Sequence, residues 1–198
     1  MFVQYIEGPV DDVSAWQRQL ERWQDQCADG AVGWLGTTAG VSDDGQGFMA
    51  ARFASAEAAR ANSARPAQSA WWADTEACFS GPVNFEDCEE VEVFRGGGSD
   101  AAGFVQALRG KVNDIDAGRE LFREGIADDV RPDVLGGMVG MTGDGRYTMV
   151  VYFSSEQAAR AGEQESRDDG FQERLDALHD EPPRFLDLSE PRMWSADG

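Results

Sequence analysis

Histidine is nearly absent from this chain, which has one, His179, among 198 residues. Cysteine is scarce as well: Cys27, Cys78 and Cys88 are an odd number, and no Cys-x-x-Cys pair occurs. A zinc site needs a cluster of such ligands, so a metal centre of that kind is not expected. Three isolated cysteines inside apparently regular elements read as free thiols in a reducing compartment, not as a disulfide framework. Basic residues number 17 against 37 acidic ones, giving a formal net charge of −20. A surface of that sign repels phosphate backbones and anionic lipid, which argues against nucleic-acid and membrane-surface partners. No apolar run approaches the ~18 residues of a membrane-spanning helix. The segment Met1-Phe2-Val3-Gln4-Tyr5-Ile6-Glu7 has neither a basic start nor a long apolar stretch, so no secretory leader is expected and a soluble cytoplasmic protein is. No Gly-x-Ser-x-Gly nucleophile elbow is present, and neither the Gly36-x-x-x-Gly40 segment nor Gly96-Gly97-Gly98 continues into the Lys-Ser/Thr of a phosphate loop.

What the chain does have is itself, twice. Displaced by 100 positions, Leu35-Gly36 falls on Leu135-Gly136, Gly40 on Gly140, Asp44-Gly45 on Asp144-Gly145, and Met49 on Met149. Phe53 and Ser55 then fall on Phe153 and Ser155, and Ala58-Ala59-Arg60-Ala61 on Ala158-Ala159-Arg160-Ala161. That is 12 identities over positions 35–61 without a gap, where background composition gives roughly two or three. The register holds to the end of each half, where Phe94 falls on Trp194, while Phe2-Val3-Gln4 matches Phe104-Val105-Gln106 at a displacement of 102. The expected organisation is a first repeat over 1–95, a Gly/Ser linker over 96–102 and a second repeat over 103–198.

Each repeat reads as βαββαβ. Phe2–Glu7 has strand character. Val13, Trp16, Leu20, Trp23 and Cys27 then form one apolar stripe, which predicts a four-turn helix capped by Asp11 or Asp12. Strands over 32–42 and 46–53 flank Asp43-Asp44-Gly45, a hairpin signal. Ser55 and Ser155 are placed as N-caps, and Pro66 breaks the following helical stretch. A last strand is predicted from Phe85 to Phe94, with Val91 and Val93 alternating against Glu90 and Glu92. Tyr147–Phe153 is apolar on both alternating faces. Helices can cover one of them, and the sister copy's sheet is the expected cover for the other.

The hairpin ending in Phe53, the helix Ser55-Ala56-Glu57-Ala58-Ala59-Arg60-Ala61-Asn62-Ser63, the break at Pro66 and the strand to Phe94 together resemble the dimeric α/β barrel superfamily. Within it they are most similar to the antibiotic-biosynthesis-monooxygenase type of domain. The resemblance implies an α+β fold of two tandem ferredoxin-like units packed sheet to sheet as an intramolecular barrel, a pseudo-dimer within one chain. It also implies a pocket for a small aromatic or apolar ligand, and oxidation without metal or flavin cofactor. Asn62 occupies the matching helix position, with Trp71 and Trp72 nearby. These three are the implied catalytic set, and Tyr5 and Arg52 are candidates for orienting a substrate. Copy two carries Gly162, Phe171 and Gln172 instead, so copy one is the expected host. The alanines at 50–51 and 58–59 leave room there, whereas Val150-Val151-Tyr152 predicts a filled second copy. Haem enzymes on related tandem barrels use one proximal histidine, but His179 precedes Glu181-Pro182-Pro183, where a solvent-exposed helix end is expected. The residues alone leave alternatives open. Asn62 also fits as a polar residue near a helix break, the two tryptophans also fit as core and boundary packing, and no general base is evident. A non-catalytic ligand-binding or protein-interaction barrel with no active site fits the same pattern.

Overall fold

The computed structural model of the protein describes residues 1–127, 131–164 and 170–196. The chain divides into two compact units, one comprising Met1–Glu89 with Arg192–Gly198, the other Glu90–Pro191.

The first unit opens with β1 (Phe2–Pro9), followed by α1 (Val13–Cys27). Asp12 caps α1, its carboxylate accepting the Ala15 backbone N–H at 2.8 Å, a contact worth about 1 kcal/mol. Trp16, Leu20, Trp23 and Cys27 face inward from it, while Val13, the predicted start of the stripe, is exposed. β2 (Trp34–Val41) and β3 (Gln46–Phe53) follow as a hairpin. Its turn requires Gly45, whose φ of +79 lies in left-handed space that a side chain strains to adopt. The repeated Leu-Gly pair marks a second shared irregularity, a register shift between Trp34 and Gly36 in one sheet and between Val134 and Gly136 in the other. Ser55 caps α2 (Ala56–Ser63), and Pro66 stands at the first position of α3 (Pro66–Glu76), where its missing N–H costs nothing. β4 (Asn84–Cys88) closes this run against β1.

The predicted strand Phe85–Phe94 is two strands. β1 begins at Phe2 and its last ladder partner on this side is Val3, opposite Cys88, so the chain has nothing to pair with beyond Glu89. It continues as β5 (Glu90–Phe94) in the second unit, antiparallel to β7 (Val134–Met141). There Glu90 and Glu92 point to one side and meet Arg119 and Arg123 at 2.6 and 2.9 Å. These arginines lie one turn apart on α4 (Ile115–Ala127). Each exposed pair is worth well under 1 kcal/mol, but together they hold the strand to one register.

The second unit repeats the plan with β6 (Phe104–Lys111), α4, β7, β8 (Arg146–Phe153), α5 (Glu156–Glu163), α6 (Phe171–Ala177) and β9 (Arg184–Leu188). The last strand, β10 (Arg192–Ser195), pairs with β2 of the first sheet. The sheet orders are therefore β10-β2-β3-β1-β4 and β5-β7-β8-β6-β9, both antiparallel, and each contains one strand from the other sequence repeat. On β8 both alternating faces are covered, as its apolar composition requires.

Candidate functional site

A cavity of about 330 Å³ lies in the first unit. Its floor is one face of the sheet. Side chains alternate across a strand, so Gln4 and Ile6 of β1, Met49, Ala51 and Phe53 of β3, and Thr37 of β2 share that face. The walls come from α1 (Leu20, Trp23, Gln24), α2 (Ala59, Asn62, Ser63) and α3 (Gln68, Ser69, Trp71, Trp72). Phe85 of β4 and Trp194 of β10 complete the lining. Across the floor, Gln4, Ala51, Thr37 and Trp194 stand side by side in the ladder register, with the smallest residue in the middle.

Two properties define the chamber. Five of the chain's six tryptophans line it, at positions 23, 34, 71, 72 and 194. Among the described residues, no Asp, Glu, Lys, Arg or His does. Three of the indoles have already given their N–H to the protein: Trp23 to Gln68 Oε1 at 2.7 Å, Trp34 to Thr37 Oγ1 at 3.0 Å and Trp71 to the Gln19 carbonyl at 2.7 Å. They therefore offer the cavity carbon surface. Trp23 and Trp34 meet with ring centroids 4.8 Å apart, and Trp72 meets Phe85 edge-on at 5.1 Å. Phe85 is half-exposed and Ser63 and Ser69 are exposed, which places the opening on that side.

Asn62 is buried, and its position is set by an arginine. Arg65 donates from one nitrogen to Asn62 Oδ1 at 2.8 Å and to the Cys27 carbonyl at 2.9 Å, tying the end of α2 to the end of α1. Gly30 makes room for this guanidinium, since a Cβ there would overlap it. With its oxygen occupied, Asn62 has its NH₂ group left for a ligand. Gln24 is another amide in the wall, and its Nε2 is buried with no hydrogen-bond partner. The sequence reading missed it because it followed only the apolar members of the α1 stripe. Gln24 stands four residues after Leu20 and three before Cys27, on that same inward face.

Of the five residues singled out from sequence, the structure brings Asn62, Trp71 and Trp72 to this cavity and leaves Tyr5 and Arg52 off it. The reason is strand periodicity: Tyr5 lies between Gln4 and Ile6, and Arg52 between Ala51 and Phe53, so both project from the opposite face. There Tyr5 is buried against Phe48, with centroids 6.0 Å apart. Arg52 lies against the backbone of Gly36, and its Nε is buried without a partner.

The equivalent region of the second unit is built differently. Gly162 replaces Asn62, and the guanidinium of Arg131 occupies the space a side chain there would take. Arg131 stands over the Phe153 ring at 5.5 Å and pairs with Asp133 at 2.8 Å. Phe94, the counterpart of Trp194, packs on Gly137 where the first unit has Thr37. Val151 stands where the first unit has Ala51. The side chains of Phe171 and Gln172 lie outside the described residues.

His179 corrects an expectation. It is half-buried, not a solvent-exposed helix end, and both ring nitrogens are engaged. Nδ1 lies 2.6 Å from the Leu175 carbonyl, which can only accept, so Nδ1 carries the proton. The Nε2 lone pair then accepts from Tyr147 O–H at 2.8 Å and is not available to a haem iron. Burial pushes the Tyr147 phenol well above its usual 10.0. The three cysteines are free thiols. Among the described residues no cluster of His, Cys, Asp or Glu is placed to hold a metal ion, and no helix is long and apolar enough to cross a membrane.

The sequence matches no protein-family model and none of the curated proteins. Solved structures match over the whole chain. A candidate monooxygenase from Fusobacterium nucleatum superposes with a TM-score of 0.78 at 8% identity, covering 98% of this chain and 94% of that one. An anthrone oxidase-like protein gives 0.68 at 12% identity, covering 100% and 94%. A ferredoxin-fold protein from Listeria monocytogenes, related to antibiotic biosynthesis monooxygenases, gives 0.53 at 9% identity over 97% and 95%.

Proposed function

We propose a function from the premise that this chain has the tandem ferredoxin-like α+β fold of antibiotic-biosynthesis-monooxygenase-related proteins. The first unit binds a neutral, planar aromatic metabolite and promotes its oxidation by O₂, and the second unit serves as scaffold. The observation that carries this reading is the chamber itself: five tryptophans around about 330 Å³, with no charged side chain among the described residues of the lining. A cavity of that size suits a two- or three-ring ligand. Offset and edge-on contacts with the indoles would each contribute about 0.5–1.5 kcal/mol beyond area burial. A charged ligand would lose its hydration without gaining a counter-charge, so neutral species are selected.

The chemistry asked of the protein is modest. In an anthrone-type substrate, a CH₂ between two rings is oxidised to a carbonyl. O₂ takes up four electrons, placing one oxygen atom in the product and the other in water. Reaction begins when the substrate enolises and gives up its proton to solvent water, and an amide N–H directed at its oxygen favours the resulting electron-rich oxyanion. The Asn62 NH₂ group supplies that donor. Oxygen uptake with anthrone tests the proposal. The wild type is expected to consume one O₂ per quinone formed, faster than buffer alone, and Asn62→Ala to slow that rate by about tenfold or more.

A second reading rests on the same wall: among the described residues it contains no titratable group to act as general base. An anthrone titration that shows saturable binding with oxygen uptake equal to buffer would establish a binding protein and refute the catalytic half.

A further inference from the structure

Gln24 is a polar residue on the inward face of α1, flanked there by Leu20, Trp23 and Cys27. Its Nε2 is buried and has no acceptor within the protein. Buried amide N–H groups are paired in the great majority of proteins, and an unpaired one costs about 1–3 kcal/mol. Core packing gives no reason to retain a glutamine there. Most other polar side chains of the lining are engaged: Gln68 accepts from Trp23, Gln4 donates to Asp87, Ser63 and Ser69 donate to backbone carbonyls, and Asn62 accepts from Arg65 while keeping its NH₂ group for a ligand. Gln24 is the lining residue whose donor is both buried and unused.

We infer that Gln24 is a ligand-binding residue whose side-chain amide donates to a carbonyl or enolate oxygen of the bound aromatic, so that the chamber selects ring systems bearing such an acceptor over hydrocarbons of the same shape. The inference rests on the aromatic-chamber reading and adds the residue and the functional group that set specificity within it. The ammonium nitrogen of an organic cation would find aromatic faces in this wall but has no lone pair to accept a hydrogen bond, so it would leave Nε2 unpaired. An acceptor oxygen removes the penalty, and selection between a carbonyl compound and its hydrocarbon analogue follows from that difference.

Fluorenone and fluorene share a tricyclic skeleton and differ by one carbonyl, so they isolate the effect. Titrations of the full chain, followed by tryptophan emission, should show fluorenone bound about tenfold more tightly than fluorene. In Gln24→Met, similar in length and without a donor, the preference should fall to about onefold. Fluorene should bind the variant as well as or better than it binds the wild type, because no unpaired donor remains. Thermal unfolding of the variant checks that the fold is kept, and Gln24→Glu adds a second arm. A carboxylate there presents acceptors only, and it should weaken fluorenone more than fluorene. Equal affinity of the two probes for the wild type, or a fluorenone preference that survives Gln24→Met, overturns the assignment of Gln24 while leaving the chamber as an aromatic site. Binding of neither probe to the wild type overturns both.

Discussion

Replacing Ala51 with leucine should stabilise the protein and abolish its aromatic binding together. Ala51 sits at the centre of the cavity floor, paired with Gln4 on one side and Thr37 on the other. It is the small residue that leaves the chamber open. Leucine adds three carbons, and about 0.8 kcal/mol per buried CH₂ gives an upper value of about 2.4 kcal/mol. Compactness of the unfolded chain lowers this by roughly 10–40%, to about 1.5–2 kcal/mol. For a chain of this length, 1 kcal/mol corresponds to about 2–4 °C, so Tm should rise by about 3–8 °C. Thermal unfolding followed by near-ultraviolet circular dichroism reads the tryptophan environment directly, and a fluorenone titration of the same sample reads the chamber. A fall in Tm, the signature of overpacking, which costs about 1–3 kcal/mol, would mean that the floor has no free volume. Unchanged fluorenone affinity would mean that the ligand sits elsewhere.

Two further outcomes follow from the second unit. Gly162→Ala should destabilise despite the roughly 1 kcal/mol by which alanine is the better helix former, because its Cβ would overlap the Arg131 guanidinium. Arg131→Ala in the same chain should recover most of that loss, giving a coupling energy in a denaturant double-mutant cycle. Tyr147 has its phenol pKa raised by burial, so the folded state holds its proton where the unfolded chain releases it. Its contribution to stability is complete below the unfolded value near 10.0 and declines as pH rises beyond it. Tyr147→Phe should lose about 1 kcal/mol at neutral pH, through the orphaned His179 nitrogen, and show a shallower alkaline decline in urea midpoints measured from pH 8 to 11.

Local signals carried most of the fold. The Asp-Gly turns, the Ser55 and Ser155 caps, the Asp12 cap and the break at Pro66 each act within a few residues, and each is legible as sequence. So is the duplication, because both copies keep the glycines their turns and bulges need. The division of the last strand was not legible. No glycine or proline interrupts Phe85–Phe94, and what ends the pairing is the exhaustion of β1, about 85 residues away. The site divides in the same way. Asn62 at the end of α2 and Trp71 and Trp72 on α3 lie within one short stretch of chain, and the alanines suggested the room they enclose. Trp194 reaches the wall only by exchange of the final strand, and Tyr5 and Arg52 were placed one residue out of phase with the floor. Gln24 was hidden by the assumption that an inward stripe is read through its apolar members.

The order of synthesis matters for this chamber. One of its walls is Trp194, on a strand that leaves the ribosome about a hundred residues after the rest of the first unit. At roughly 5–20 residues per second, the first unit spends several seconds with β2 as an open edge and an aromatic-rich interior lacking one side. During that interval β2 is a template for any extended segment nearby, including the β5 strand emerging next. In the finished sheets that edge belongs to β10, while β5 pairs with β7 and its Glu90 and Glu92 meet Arg119 and Arg123.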